Sequence, residues 1–288
     1  MIVPNIVVRD IDGQTEMRAV EELQKEVWGL PDIDVVPLTQ LVAAKAAGGV
    51  VIGAFDGDGL AGFAYGFAGY EDGHLTHHSH MLAVKPAYRS HNVGRILKLA
   101  QRERVLSQGI DRMTWTFDPL QSLNAHLNFN KLGVVSDRYF VNFYGEDAAS
   151  FLHRNGTDRL WVTWLLSSRY VSEHLEGTMP AFDYGNAETL IALGDNLEPR
   201  VAVERASAER AVIEIPADIG KLEQYDIETA AKWRQATRAA FVQALRRGYV
   251  ITGFDRAIDG GNKVGRYQLT KVTMGDIDGQ NRSAERIK

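Results

Sequence analysis

The chain has 288 residues, 45% hydrophobic and 24% charged, with a net charge of −5. That length suits one large or two modest domains, and the composition is that of an ordinary globular protein. The negative balance argues against a nucleic-acid binder, which needs a basic face, and the absence of cysteine excludes a disulfide scaffold, thiolate-held zinc and a thiol nucleophile and fits a cytoplasmic protein. The opening MIVPNIVVRDIDG has neither the basic segment nor the apolar run of a signal peptide, and no apolar run elsewhere is long enough to span a bilayer.

Residues 5–9 alternate as a first strand, and 15–28 follow as an amphipathic helix with Met17, Val20, Leu23 and Val27 on one stripe. Gly29 and Pro31 end it, and Pro37 opens a second helix through Leu38, Leu41, Val42 and Lys45. Residues 50–55 and 60–70, joined by Asp56-Gly57-Asp58-Gly59, read as a hairpin, and Asp72-Gly73 turns the chain into a strand over 74–84. A helix over 95–108 ends at Gly109, and a strand covers 112–118. After Pro119 comes a shorter helix over 122–132, closed by Gly133, then strands over 135–144 and 160–167. Antiparallel hairpins followed by a strand–helix–strand crossover predict a mixed α/β sheet, mainly antiparallel and flanked by helices, not a doubly wound parallel one.

Residues 168–190 read as a helix-and-loop linker between a domain over 1–170 and a second α+β domain over 171–288. In the second domain 200–205 and 211–215 are strand-like. Residues 226–247 form the clearest helix, with Ala230, Trp233, Thr237, Phe241 and Leu245 on one side, and 249–255 pairs with 265–273. The polar tail from Gly275 is expected to fray.

The stretch over 79–95, SHMLAVKPAYRSHNVGR, carries the most chemistry. An apolar strand, Met81-Leu82-Ala83-Val84, is stopped by Pro86, and a polar loop feeds directly into a helix. Such a corner aims several backbone N–H groups at one point, with the positive end of the helix dipole behind them, and so suits a phosphate.

This loop and its setting resemble the GNAT superfamily of acyl-CoA N-acyltransferases, whose loop reads Arg/Gln-x-x-Gly-x-Gly/Ala. Here it is Arg89-Ser90-His91-Asn92-Val93-Gly94, with Asn92 at the first glycine, and asparagine is the next most tolerant residue for a left-handed backbone. A closer likeness is to a branch of larger predicted members, through SHML (79–82), LKLAQRE (97–103), TWTFDPL (114–120), NAHLNFNKLG (124–133) and NFYG (142–145). IEIPAD (213–218), WRQATRAAF (233–241) and the segment 248–254 belong to the same likeness. Some relatives in that branch transfer succinyl groups to amino acids.

The resemblance implies acetyl-CoA or succinyl-CoA as co-substrate, no metal, and a small-molecule primary amine as acceptor. It puts the acyl-CoA arm between the strands over 74–84 and 112–118. Leu82, Ala83 and Val84 would meet the pantetheine, and one backbone N–H there would act as oxyanion donor. Ser90, His91, Asn92, Val93, Gly94 and Arg95, with Arg89, would hold the pyrophosphate. Asn124, Asn128 and Lys131, at i, i+4 and i+7, are expected to share a helical face toward the pantetheine. Phe129 stands at a cofactor-binding position where many members carry a tyrosine that protonates the leaving thiolate, so Asn128 through water, Tyr139 or Tyr144 would have to serve, or the thiolate leaves unaided.

Four of the eight histidines, His74, His77, His78 and His80, lie on one strand; His78 and His80 share one face, His77 and Ser79 the other. A pKa near 6.5 suits His80 as general base. A structural hydrogen-bonding role ranks second, and metal binding a distant third because no further ligand is evident. Asp118 is the rival base, with helix capping as its simpler role. Direct attack on the thioester is expected, since no residue is a convincing covalent nucleophile. The C-terminal domain is expected to cover the acceptor side or to make a homodimer. It also reads as a degenerate second GNAT half, having no R-x-x-G-x-G after residue 170. A reading from another class is a CoA-binding sensor without turnover, motivated by Phe129 and Asn92.

Overall fold

The computed structural model describes residues 5–89, 91–145, 155–202, 207–259 and 262–279. The chain divides into two compact units, Met1–Trp115 with Ala149–Arg154, and Thr116–Ala148 with Asn155–Lys288. Both are mixed α/β, with mainly antiparallel strands.

In the first unit β1 (Ile6–Asp10), β2 (Val50–Asp56), β3 (Gly59–Glu71), β4 (His74–Val84) and β5 (Arg112–Phe117) lie side by side in that order. Neighbours are antiparallel except β4 and β5, which are parallel. Helices α1 (Gly13–Trp28) and α2 (Leu38–Ala46) cover one face. The α1 stripe Met17, Val20 and Leu23 packs with Leu41, Val51, Phe55, Phe63, Tyr65 and Ala83 in a buried cluster. Gly29, in the left-handed region at φ 64°, ends α1 by donating its N–H to the Lys25 carbonyl. Helix α3 (Val93–Ser107) is the crossover from β4 to β5 and buries Val93, Leu97 and Val105. A Cβ on Gly62 of β3 would lie 3.3 Å from the Leu97 side chain, so the bare backbone there gives α3 its close seat.

The units part inside β5, whereas the sequence places the domain change near residue 170. The reason is hydrogen bonding: β6 (Val135–Phe140) pairs with β7 (Arg159–Leu165) and, at Ser136, with Ile251 of a late strand. The second unit begins with α4 (Ser122–Ala125), which passes directly into a π-helical segment, His126–Leu132. After β6 and β7 come α5 (Arg169–Glu176), β8 (Ala187–Leu193), β9 (Pro199–Val201), β10 (Arg210–Pro216), α6 (Ile219–Tyr225) and α7 (Ile227–Arg246). The hairpin β11 (Tyr249–Asp259) with β12 (Asn262–Lys271) and the short α8 (Met274–Asp278) complete it. Strand order is β7-β6-β11-β12-β10-β8-β9, with β10 and β8 the parallel neighbours. Here β12 separates β10 from β11, the two strands that α7 connects.

Three elements differ from the sequence reading. The segment read as a helix-and-loop linker has its helix, α5, but ends in the start of a strand, β8. The strand expected to reach residue 144 stops at Phe140, where a turn takes over with Asn142 at φ 48°. The tail expected to fray from Gly275 holds α8, because Thr273 and Asp276 form a reciprocal capping box. Most of the predicted strand over 200–205 lies outside the described residues; β9 ends at Val201.

Candidate active site

The site begins with a fork. Strands β4 and β5 pair only at His77↔Met113 and His78↔Thr114. From Ser79 and Trp115 onward the two carry no rung with each other. Strand β4 is meanwhile held on its other side by β3, where Tyr65 pairs with Met81 and Phe67 with His78. One β3 residue, Gly66, thus faces two β4 residues, Ser79 and His80, which is a β-bulge. A Cβ on Gly66 would fall on the His77 ring and 2.6 Å from the His78 carbonyl oxygen, so only glycine fits opposite the bulge.

The ladder fixes which amides point into the fork. Lys85 N–H donates to the Ala61 carbonyl at 2.9 Å. Alternation then turns the backbone of Ala83 and Met81 toward β3 and that of Leu82 and Val84 toward the open edge. Consistent with this, Arg89 Nε donates to the Val84 carbonyl at 3.4 Å. Of the three residues expected to meet the pantetheine, Leu82 and Val84 offer free-edge amides. Ala83 is committed to β3 and is buried in the core.

Past the fork, Asn92 adopts φ 58° and ψ 15° at the N-cap of α3, the left-handed conformation a glycine would take. Its carbonyl accepts the first helical bond, from Ile96 N–H at 3.0 Å, so the N–H groups of Val93, Gly94 and Arg95 have no intrahelical carbonyl. No side chain caps this helix and its first turn contains no acidic residue. Val93 is buried and anchors the corner, while Arg89, His91 and Asn92 are exposed. His91 Nδ1 lies 3.1 Å from the Arg89 carbonyl. A run of amides at a helix start, with Arg89 and Arg95 beside it and no carboxylate, is a donor set that fits a pyrophosphate. Ser90 lies outside the described residues.

The histidines divide by face. His77 is fully buried beneath α3, within 3.3 Å of Gln101 Nε2, and burial pulls its pKa down to about 4. His78 and His80 lie on the opposite face, their rings 6.3 Å apart, in a cluster with Phe67 and Tyr65. His78 Nδ1 is 3.1 Å from Thr114 Oγ1. Burial, then neighbouring His80, bring His78 to about 4, and desolvation by its surroundings holds the solvent-exposed His80 below the ordinary value. All three rings are neutral near pH 7, and His80 is the accessible one, able to accept a proton.

The remaining candidates lie in the second unit. Asn124 and Lys131 are exposed and Asn128 is buried, so the three do not share a face. The segment is wound as a π-helix, with Gly133 N–H reaching back five residues to the Asn128 carbonyl, so the i, i+4, i+7 alignment of an α-helix does not hold across it. Leu123 is 67% exposed. Phe129 is fully buried, edge-on to Phe117 and Tyr267. Tyr139 donates its hydroxyl to Asp158 at 2.6 Å, and burial pushes its pKa up. Asp118 accepts from Leu120 N–H at 2.9 Å in the turn ahead of α4, whose N-cap is Gln121, so it does not cap that helix; it takes both terminal nitrogens of Arg234, at 2.9 and 2.7 Å. Arg238, one turn on, pairs with Asp158. The two arginines thus serve buried or half-buried aspartates.

Sequence reasoning missed a buried polar network on the α3 side of β4. Lys98 Nζ donates to Ser79 Oγ at 2.8 Å, and Ser79 donates to Gln101 Oε1 at 2.8 Å. The available signal was that Lys98 and Gln101 fall among Val93, Leu97 and Val105 on the buried side of one helix. Among the described residues no cluster of three metal-ligating side chains occurs, and no helix is long and apolar enough to cross a membrane.

Residues 16–133 match the family model described as acetyltransferase (GNAT) family. No curated protein matches the chain. Among solved structures it is similar to the ribosomal-protein-S18-alanine N-acetyltransferase of Escherichia coli, at 13% identity over 56% of this chain and 94% of that one, TM-score 0.46. A GNAT family acetyltransferase from Elizabethkingia anophelis with acetyl-CoA bound aligns at 14% identity over 56% and 98%, TM-score 0.45. An aminoglycoside 6'-acetyltransferase type Ii aligns at 20% identity over 59% and 99%, TM-score 0.45. The stretch that the GNAT acetyltransferase family model matches, 16–133, holds both the β4–β5 fork and the start of α3.

Proposed function

We propose that the protein is an acyl-CoA-dependent N-acyltransferase that moves an acetyl or succinyl group to the primary amine of a small molecule such as an amino acid, by direct attack. The observation that carries this reading is the fork opening after His78↔Thr114 with an uncapped helix start behind it, a slot for an extended arm ending in a phosphate cradle. Acyl-CoA supplies the activated carbonyl and the thiolate leaving group. Leu82 and Val84 present free-edge amides to the arm, and one of their N–H groups polarises the carbonyl. Arg89, Arg95 and the amides of residues 93–95 take the pyrophosphate. His80 accepts the proton that the attacking ammonium must lose, and holding both partners in place supplies much of the rate. Asn128 is the candidate donor to the thiolate. Tyr139 is the weaker one, since its hydroxyl is given to Asp158.

The test is thiol release from acetyl-CoA and succinyl-CoA with a panel of amino acids, polyamines and monoamines. Release above the amine-free blank supports the reading. Replacing His80 with Gln should lower kcat by about 100-fold or more while CoA binding holds; a kcat within about threefold of the parent removes His80 as the base. A second reading, a CoA sensor, draws on Phe129, which is sealed in the core and has no hydroxyl. Tight CoA binding with no thiol release from any amine would establish it. Failure to bind CoA would exclude both.

A further inference from the structure

The sequence places a lysine where an apolar side chain would cost less. Lys98 is 2% exposed, and among the described residues no carboxylate pairs with it. Burial pulls its pKa well below the ordinary lysine value. An amine in that setting is destabilising unless its place gives something back. Its place is the crotch of the fork. The last rung of the β4–β5 ladder is His78↔Thr114, so Ser79 and Trp115 are the first residues beyond it. Lys98 Nζ bonds to Ser79 Oγ at 2.8 Å and lies 3.5 Å from the centre of the Trp115 ring. It therefore touches both strands at the point where they part.

The contact on β4 is also at the bulge. Ser79 and His80 are the two residues that oppose Gly66, and Ser79 is held by Lys98 and Gln101 together, with Gln101 in turn against His77. All four side chains are buried. The bulge precedes Leu82 and Val84 by a few residues and sets which way their amides turn.

We infer that Lys98 is a positioning residue for the acyl-CoA arm, a wedge that pins the bulged segment of β4 at Ser79 and holds Trp115, the β5 residue just past the last β4–β5 rung, away from it. It touches neither acyl-CoA nor acceptor; it acts through the direction of the Leu82 and Val84 amides. The inference rests on the acyl-CoA reading of the fork.

The experiment uses the full chain and measures CoA affinity by calorimetry, acyl-CoA KM and kcat, and thermal unfolding, for the parent, Lys98→Met, Ser79→Ala and the double variant. Methionine fills similar volume without a donor. Losing one buried hydrogen bond that orients the arm should weaken CoA binding and raise acyl-CoA KM by about threefold to tenfold. The saturated kcat should stay within about twofold, and the melting temperature should be unchanged or higher, since a buried amine has been removed. Ser79→Ala should reproduce the KM effect, and the double variant should add little to either single change. Parent-like CoA affinity in Lys98→Met overturns the inference, as does a lower melting temperature with unchanged affinity, which would make Lys98 an ordinary packing residue. If the parent protein itself binds no CoA, the acyl-CoA reading fails instead, so the two failures are distinguishable.

Discussion

Substituting Gly66 with alanine tests the bulge directly. The new methyl group would overlap the His77 ring, and would stand 2.6 Å from the His78 carbonyl oxygen and 3.0 Å from Gln101 Nε2. Ordinary contact begins near 3.4 Å, so all three neighbours must give way. None does so cheaply: His77 and Gln101 are fully buried, and the His78 carbonyl is backbone of a strand paired on both sides. Overpacking of this kind costs about 1–3 kcal/mol. Displacing His77 also breaks its contact with Gln101, worth about 1 kcal/mol. The sum, about 2–4 kcal/mol, corresponds to a melting temperature lower by roughly 5–15 °C. Gly59→Ala is the control, because its Cβ would meet only the Asp56 carbonyl at 3.4 Å, and it should stay within about 0.5 kcal/mol. The assay is thermal and urea unfolding of both variants beside the parent. Gly66→Ala as stable as Gly59→Ala would refute the tight-bulge argument.

Three further predictions follow from groups already placed. Replacing Arg234 with methionine leaves Asp118 half-sealed without its partner and should cost about 3–5 kcal/mol in urea unfolding, whereas a loss below about 1 kcal/mol would mean the pair is dispensable. Asn92→Gly should be neutral or slightly stabilising because the position is left-handed, while Asn92→Ala should cost about 1 kcal/mol; equal stabilities would contradict the φ of 58°. His77 falls from an ordinary 6.5 to about 4 in the folded protein, so the unfolded chain binds the extra proton between those values. The stabilisation is therefore complete above pH 6.5 and is lost as pH falls toward 4, amounting to up to about 3 kcal/mol. A stability curve flat across that window, measured by urea unfolding, would rule out a neutral buried His77.

Much of the first unit is legible in the sequence because its punctuation is local. Gly29, Pro37, Asp72-Gly73 and Gly109 mark ends that need only nearby residues to explain them, and the strands between alternate cleanly. The corner that leads into α3 is legible for the same reason: Asn92 between a strand and a helix is a short-range pattern. What escaped depends on partners distant in sequence. The bulge at Ser79 and His80 is decided across the ladder by Gly66, and no residue of β4 announces it. The π-helical turn at His126–Leu132 has the composition of any short helix, so the expected shared face of Asn124, Asn128 and Lys131 was unreadable as wrong. Asp118 looked like a cap or a base from its neighbours; its partner, Arg234, lies on α7. Helix α6 was missed because it is short, seven residues capped by Asp218 ahead of the separate α7 that Asp226 caps.

The bulge gives β4 two reading frames. Before it, the even residues His78 and His80 stand on the side of Tyr65. After it, the odd residues Met81 and Ala83 stand on that same side, packed with the α1 and α2 core. One extra residue lets a single strand set His78 and His80 beside Tyr65 and still turn the Leu82 and Val84 amides to the open edge, although the two need opposite parity. Point substitutions around the fork can therefore be graded in their effect, but loss or gain of one residue between His78 and Met81 cannot. It would exchange inside for outside along one half of the strand, leaving either the imidazoles or the Leu82 and Val84 amides facing the wrong way. Chain length across this interval is thus a stricter requirement than side-chain identity.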